Sequence, residues 1–197
     1  MAILKVSRMG HPVLRQRACE VPAPQVGETA LQRLIDDMIE TMLDDGGIGL
    51  AAPQVFRPLR LIVLGDPAAD PEDPGAIPLQ VLLNPRVLRL STQTEQAWEG
   101  CLSIPGLRGV VPRPCQVQVE GLDREGRQLQ VQAAGMHARV LQHEVDHLDG
   151  ILFLDRMPDL RRLAFLEEYH RYWHGEGGDE PEGQVRGGEP PEGVAPG

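Results

Sequence analysis

The chain has no surplus of basic residues, no long apolar run and no cysteine framework, and each absence removes a class of function. Nineteen Lys and Arg against 29 Asp and Glu give a formal net charge of −10. Nothing basic enough to grip a nucleic-acid backbone or an anionic membrane surface stands out. No apolar stretch approaches the roughly 20 residues that a membrane-spanning helix needs. Met1-Ala-Ile-Leu-Lys-Val lacks the charged start, apolar stretch and small-residue cleavage site of a secretory signal, so the cytoplasm is the expected compartment. Cys19, Cys101 and Cys115 cannot all pair with one another. That fits a reducing compartment and leaves thiols free as metal ligands or small core residues.

The 197 residues suffice for one domain with a real core. Half of the net charge lies in the last 23 residues, where six acids (Glu176, Asp179, Glu180, Glu182, Glu189, Glu192) face only Arg186. The expected division is therefore a folded domain over 1–174 and a disordered tail of Gly, Glu and Pro over 175–197. Residues 1–26, with Pro12, Pro22 and Pro24, read as an extended arm with turns. Leu31, Leu34, Ile35, Met38, Met42 and Leu43 recur at helical spacing. They predict a helix over 29–45, opened by a Thr29–Gln32 capping box and closed by Gly46 and Gly47. Residues 59–64 read as a strand, 66–78 as an acidic, proline-rich loop, and 81–83 and 86–90 as two strand pieces around Asn84-Pro85. The 98–105 stretch shows no pattern of a regular strand. Val117, Val119 and Leu122, then Leu129 and Val131, alternate with polar residues around Asp123-Arg-Glu-Gly126, the mark of a hairpin. A helix over 137–148 ends at Gly150, and a last one starts near Pro158-Asp159, facing the core with Leu160, Leu163, Leu166, Tyr169 and Trp173. The fold class is α+β, with short antiparallel or mixed strands packed around a central metal-binding helix.

That helix carries Gln142-His-Glu-Val-Asp-His-Leu-Asp-Gly150. His143 and His147, four apart, sit one turn above each other and suit two imidazoles meeting one ion. Glu144 between them can act as a base on water at that ion without occupying a coordination position. A catalytic site needs a third protein ligand. Cys101 upstream is one source, and Glu167 and Glu168 downstream are the other. The two glutamates fall on the polar side of a helix whose apolar face is accounted for, which marks them as solvated. His11, His137, His170 and His174 have no comparable spacing. Gly47-Ile-Gly-Leu-Ala-Ala-Pro-Gln54 follows a helix rather than a strand, so it is no dinucleotide loop. Its Gln54 carries an amide that can face a developing oxyanion.

Gly47 to Gln54, Glu99-Gly-Cys-Leu-Ser103 and Gln142 to Gly150 together, in this order, resemble the peptide deformylase family over about residues 5–165. The resemblance implies that Cys101, His143 and His147 hold one divalent metal, ferrous iron in the family's working form, with Zn2+, Ni2+ or Co2+ as substitutes. The ligand set alone reads as zinc. It further implies hydrolysis of the N-formyl group of N-formylmethionyl nascent peptides emerging from the ribosome, with release of formate. In that reaction Glu144 is general base and acid, and Gln54 and the Leu102 backbone N–H stabilise the oxyanion. Gly49 lies along the substrate backbone, Ile48, Met136 and Val140 line the methionine slot, and Arg108 stands toward the peptide's carboxyl-terminal side. No nucleic acid or membrane is an expected partner, and the oligomeric state is left open. One departure stands out: Phe56 occupies a position where the family usually has glycine, which predicts a different path for the loop leaving the first block and a changed cleft rim. Two other readings compete. A zinc endopeptidase would use the same His-Glu-x-x-His set with a downstream ligand, and a non-catalytic metal-binding relative would have no use for Glu144.

Overall fold

Apolar residues one and two turns apart decide the first helix. Leu31, Ile35, Met38 and Met42 line one face of α1 (Thr29–Asp44), and all four are buried. The computed structural model describes residues 2–70, 72–73 and 75–173. The expected disordered tail lies outside them. The N-terminal arm is extended, with short 3-10 turns at Pro12–Arg15 and Ala23–Gln25.

The strands are β1 (Gly49–Ala51), β2 (Leu61–Leu64), β3 (Gln80–Leu90), β4 (Thr94–Cys101), β5 (Ile104–Pro114), β6 (Gln116–Leu122), β7 (Gln128–Ala134) and β8 (Leu163–Phe165). They form a five-stranded sheet in the order β1-β2-β3-β6-β7 and a three-stranded sheet in the order β4-β5-β8. Every pairing between them is antiparallel. Strand β2, Leu-Ile-Val-Leu, is buried throughout because the larger sheet is covered on both faces. Ile62 and Leu64 pack with Ala138, Leu141, Val145 and Leu148 of α2 (Gly135–Leu148). Leu61 and Val63, pointing the other way, pack with the apolar face of α1. A third cluster, Val13, Leu14, Ile104, Val111, Leu152 and Phe153, ties the N-terminal arm to the smaller sheet. The helix that carries the histidines is thus wedged between core and smaller sheet, and truncating a buried anchor such as Leu141 to Ala costs about 2–5 kcal/mol.

The hairpin over β6 and β7 forms in the expected register, Val119 opposite Val131. Four local expectations do not hold. Thr29 is the first helical residue, not the cap: Glu28 is the N-cap without a side-chain hydrogen bond. Gln32 donates instead to the Val26 and Arg124 carbonyls, so there is no capping box. The pieces around Asn84-Pro85 are one strand, β3, whose pairing with β6 shifts register between Leu83 and Arg86. Asn84 takes φ of 52° there, and its side-chain amide pairs with the Val21 backbone. The stretch around Cys101 is regular after all, the end of β4 and start of β5. Its cross-strand partners, not its own pattern, make it so. Finally, the Leu160–Leu163–Leu166 spacing belongs to no single helix. A 3-10 turn (Leu160–Arg162), strand β8 and a short α3 (Leu166–Tyr172) follow one another, because β8 pairs with Leu107–Gly109 of β5. Leu160 is consequently exposed, and no residue of α3 is fully buried. Among the described residues, no helix is long and apolar enough to cross a membrane.

Candidate metal centre

Helix α2 stacks His143 and His147 on one face, ring centroids 5.0 Å apart. Cys101 reaches them from the last position of β4, just past a register shift between Glu99 and Cys101 that re-aims the strand end. Its Sγ lies 3.2 Å from His147 Nε2. The donor atoms of Cys101, His143 and His147 all fall within 4.8 Å of one another, a single metal-binding site. One thiolate and two imidazoles at this separation fit one divalent ion with a coordination position left for water or substrate. No other group of three or more His, Cys, Asp or Glu among the described residues has its donor atoms gathered like this. Glu167 and Glu168, the alternative ligands, stand on α3 outside it.

His143 is oriented from behind. Its Nδ1 pairs with Glu99 Oε2 at 2.9 Å, which leaves Nε2 for the metal. Glu99 is itself held by a bidentate pair from Arg113, 2.9 and 3.0 Å, and by Arg139 at 2.8 Å. Arg113 also bridges to Asp146, whose other oxygen takes Arg156 at 2.6 Å. Burial pushes the Glu99 carboxyl up, but Arg113 and His143 overcome this and hold it well below the usual carboxylate range. Burial also lowers His143, but hydrogen bonds to Cys101 and Glu99 outweigh it and raise that imidazole. Burial, aided by the charges of His143 and Arg113, pushes His147 well below its ordinary value, toward the neutral form that ligates. This ionic network was not legible as a site in the sequence. In the sequence Glu99 is only part of a motif block, and Arg139 carries no motif of its own. The available signal was Arg and Asp at positions where a buried helix face and sheet leave no solvent.

Glu144 is buried, and its Oε2 has no hydrogen-bond partner among the described residues. Burial raises its carboxyl to about 7, which suits a group that takes and returns a proton near neutrality. Gly49 makes room for it. A Cβ at that position would collide with the Glu144 carboxylate, so glycine is required by close approach rather than by φ. Gln54, in a 3-10 turn (Ala52–Val55), is pinned through Oε1 by the Ala51 N–H at 2.8 Å. Its Nε2 is thereby aimed at Ser103 Oγ, 3.2 Å, and Cys101 Sγ, 3.5 Å, beside the metal ligands.

All of these open onto one cleft of about 1060 Å³. Its lining contains Gln54, Cys101, Leu102, His143 and Glu144 together with Ile48, Gly49, Arg108, Met136 and Val140. Of the residues that the resemblance assigns to the site, only His147 lies outside this lining; it is buried, 3.2 Å from the Cys101 sulfur. Ile48 and Met136 are about half exposed and Val140 is buried, so this part of the cleft has an open mouth and a closed floor. The Arg108 guanidinium lies across Gly100, in space a side chain at 100 would fill. Phe56 lies outside the cleft lining, edge-on to His11 at 5.0 Å. Its φ of 61° and ψ of 25° are the left-handed conformation that glycine adopts without strain, so phenylalanine holds it at some cost.

A family model described as polypeptide deformylase matches residues 3–163. Peptide deformylase 2 of Pseudomonas putida is 45% identical over 166 residues, covering 84% of this chain and 93% of that protein. Peptide deformylase 1 of Bordetella pertussis is 45% identical over 168 residues, with 84% and 92% covered. Among solved structures, a Met-Ala-Ser-bound class I type b peptide deformylase from Acinetobacter baumannii superposes with a TM-score of 0.73 at 38% identity, covering 79% of this chain and 99% of that one.

Proposed function

The chain belongs to the peptide deformylase family and is a metal-dependent hydrolase that removes an N-formyl group; from that premise we propose how its residues divide the work. Cys101, His143 and His147 hold one ferrous ion. The thiolate and imidazole donors fit it, although they suit zinc equally well, so the preference for iron rests on the family resemblance. A bound divalent ion supplies Lewis-acid polarisation and makes water acidic enough to deprotonate near neutral pH. Glu144 takes that proton as water adds to the formyl carbon. The Gln54 amide and the Leu102 N–H donate to the oxygen on which negative charge develops. Glu144 then returns the proton to the departing amine, the C–N bond breaks, and formate and a free methionine amine are released.

The observation behind this reading is geometric: the donor atoms of Cys101, His143 and His147 gather within 4.8 Å of one another, and the buried Glu144 carboxylate, one residue from His143, presses against Gly49 with no other partner for its Oε2 among the described residues. We assign N-formylmethionyl peptides as substrate: the backbone lies along Gly49, the methionine side chain enters between Ile48, Met136 and Val140, and Arg108 faces the downstream end. The A. baumannii structure holding Met-Ala-Ser supports a peptide with methionine first. Nascent chains at the ribosome are the implied source, and the free cysteines suit the cytoplasm. Residues 1–174 form the catalytic unit. The test is formate release from formyl-Met-Ala-Ser by protein purified without air, with metal counted on the same sample. Turnover with about one iron per chain is expected. Full metal loading without formate release, even after exchange for nickel, would overturn the reading.

A further inference from the structure

The two donors assigned to the oxyanion reach the cleft from separate parts of the chain. The Gln54 amide comes from the 3-10 turn after β1, and the Leu102 N–H from the turn between β4 and β5. Such donors work only where their spacing is already set, to within about 0.5 Å, and neither segment's own backbone fixes its distance from the other. Ser103, next to Leu102, closes that gap. It is fully buried, and its Oγ accepts from Gln54 Nε2 at 3.2 Å across 49 positions of sequence. Ser103 is not among the residues lining the cleft, so it stands behind the amide rather than against a substrate. The Ala51 N–H can only donate, which selects Oε1 as its partner and turns both Nε2 hydrogens the other way. One of them goes to Ser103 and the other to the Cys101 sulfur at 3.5 Å.

The N-terminal arm stitches the same two segments together. The Ser7 N–H donates to the Gln54 carbonyl at 2.7 Å and the Ser7 hydroxyl to the Pro53 carbonyl at 3.4 Å, while the Met9 N–H donates to the Ser103 carbonyl at 2.8 Å. Ser7 is buried, so its bonds are shielded from competing water. The turn and the strand end are thus joined twice, once through the Gln54 and Ser103 side chains and once through the backbone of residues 7–9. Removing the Ser103 hydroxyl therefore frees the amide without detaching the segment that carries it.

We propose that Ser103 is a positioning residue of the oxyanion site: its hydroxyl fixes the Gln54 amide relative to the neighbouring Leu102 N–H, and Ser7 and Met9 hold the two segments in register. The Nε2 hydrogen that faces the Cys101 sulfur passes to the oxyanion, a stronger acceptor, while the one on Ser103 stays and keeps the amide aimed. This rests on the cleft being the formyl-peptide site. The test is a double-mutant cycle on kcat for formyl-Met-Ala-Ser, with the full chain loaded with metal. Ser103→Ala is expected to lower kcat about 5- to 10-fold, the net worth of one hydrogen bond, with KM and metal content unchanged. In the Gln54→Ala background the same change should cost less than about two-fold, because no amide is left to aim. A serine that only supports the fold would lower kcat by the same factor in both backgrounds. A second readout needs no turnover. In zinc-loaded, isotope-labelled protein the side-chain amide proton signals of Gln54, identified by their absence from Gln54→Ala, should shift and exchange faster with solvent in Ser103→Ala. An unchanged kcat, or an equal loss in the two backgrounds, or Gln54 signals that Ser103→Ala leaves unmoved, would overturn the proposal. If the parent hydrolyses no formyl peptide, the deformylase reading fails, and the amide signals still decide whether Ser103 holds Gln54.

Discussion

Replacing Arg113 by Met tests whether the charges behind the metal centre are a stability requirement. Arg113, Glu99 and Asp146 have side chains 4%, 4% and 9% exposed, so removing the guanidinium leaves two buried carboxylates short of a partner. Breaking such a pair costs about 3–5 kcal/mol. Here the lower end applies, because Glu99 keeps Arg139 at 2.8 Å and His143 at 2.9 Å, and Asp146 keeps both contacts from Arg156. For a domain of this size each kcal/mol moves Tm by about 2–4 °C, so Arg113→Met should melt about 6–12 °C below the parent. Scanning calorimetry of the metal-loaded proteins measures this. Glu99 also orients His143, and metal affinity should fall about 10–100-fold, read by competition with a chelating dye. A Tm loss under about 2 °C with metal affinity unchanged would refute the reasoning, because it would mean the carboxylates are satisfied without Arg113.

Gly49→Ala places a methyl where the Glu144 carboxylate lies, so it should lower kcat about 100-fold through displacement of the base while metal content stays at one per chain; wild-type turnover would show that the carboxylate has room to move. Asp155 is held below the usual carboxylate range by the Arg15 guanidinium and the Leu152 N–H, against partial burial. A depressed folded-state value gives stability that is fully present above the unfolded aspartate's value of about 3.9 and is lost as pH falls through the folded one. Asp155→Asn should therefore lower the unfolding free energy read from urea titration at pH 7, by no more than about 1 kcal/mol for so exposed a pair, and the gap should close as pH drops below about 4. A gap that persists at lower pH would remove the ion pair from the account.

Local signals carried much of the site. His143 and His147 are ligands by helical spacing, and the hairpin around Gly126 followed from alternation, because both depend on residues near one another in the chain. Cys101 needed the family resemblance: alone, it was one of two possible sources of the third ligand, and the strand it ends is set by pairing with β5. The network of Glu99, Arg113, Arg139 and Asp146 was illegible for a similar reason. Glu99 and Arg113 meet across strands and Arg139 and Asp146 come from α2, and charged residues in a sequence read as solvated until the fold buries them. The last helix was misplaced because Leu160, Leu163 and Leu166 fit a helical period equally well whether or not β5 offers an edge to pair with Leu163–Phe165.

The assignment of Glu144 as the group that moves the proton is met most directly by Glu144→Gln, which keeps the size of the side chain and removes its basicity. Metal content and formate release from formyl-Met-Ala-Ser should be measured on one anaerobic preparation of parent and variant. About one metal per chain is expected in both, because the carboxylate is not among the three donors, with a loss of about 10²–10⁴-fold in kcat in the variant. Equal turnover in the two proteins at equal metal loading would contradict the assignment.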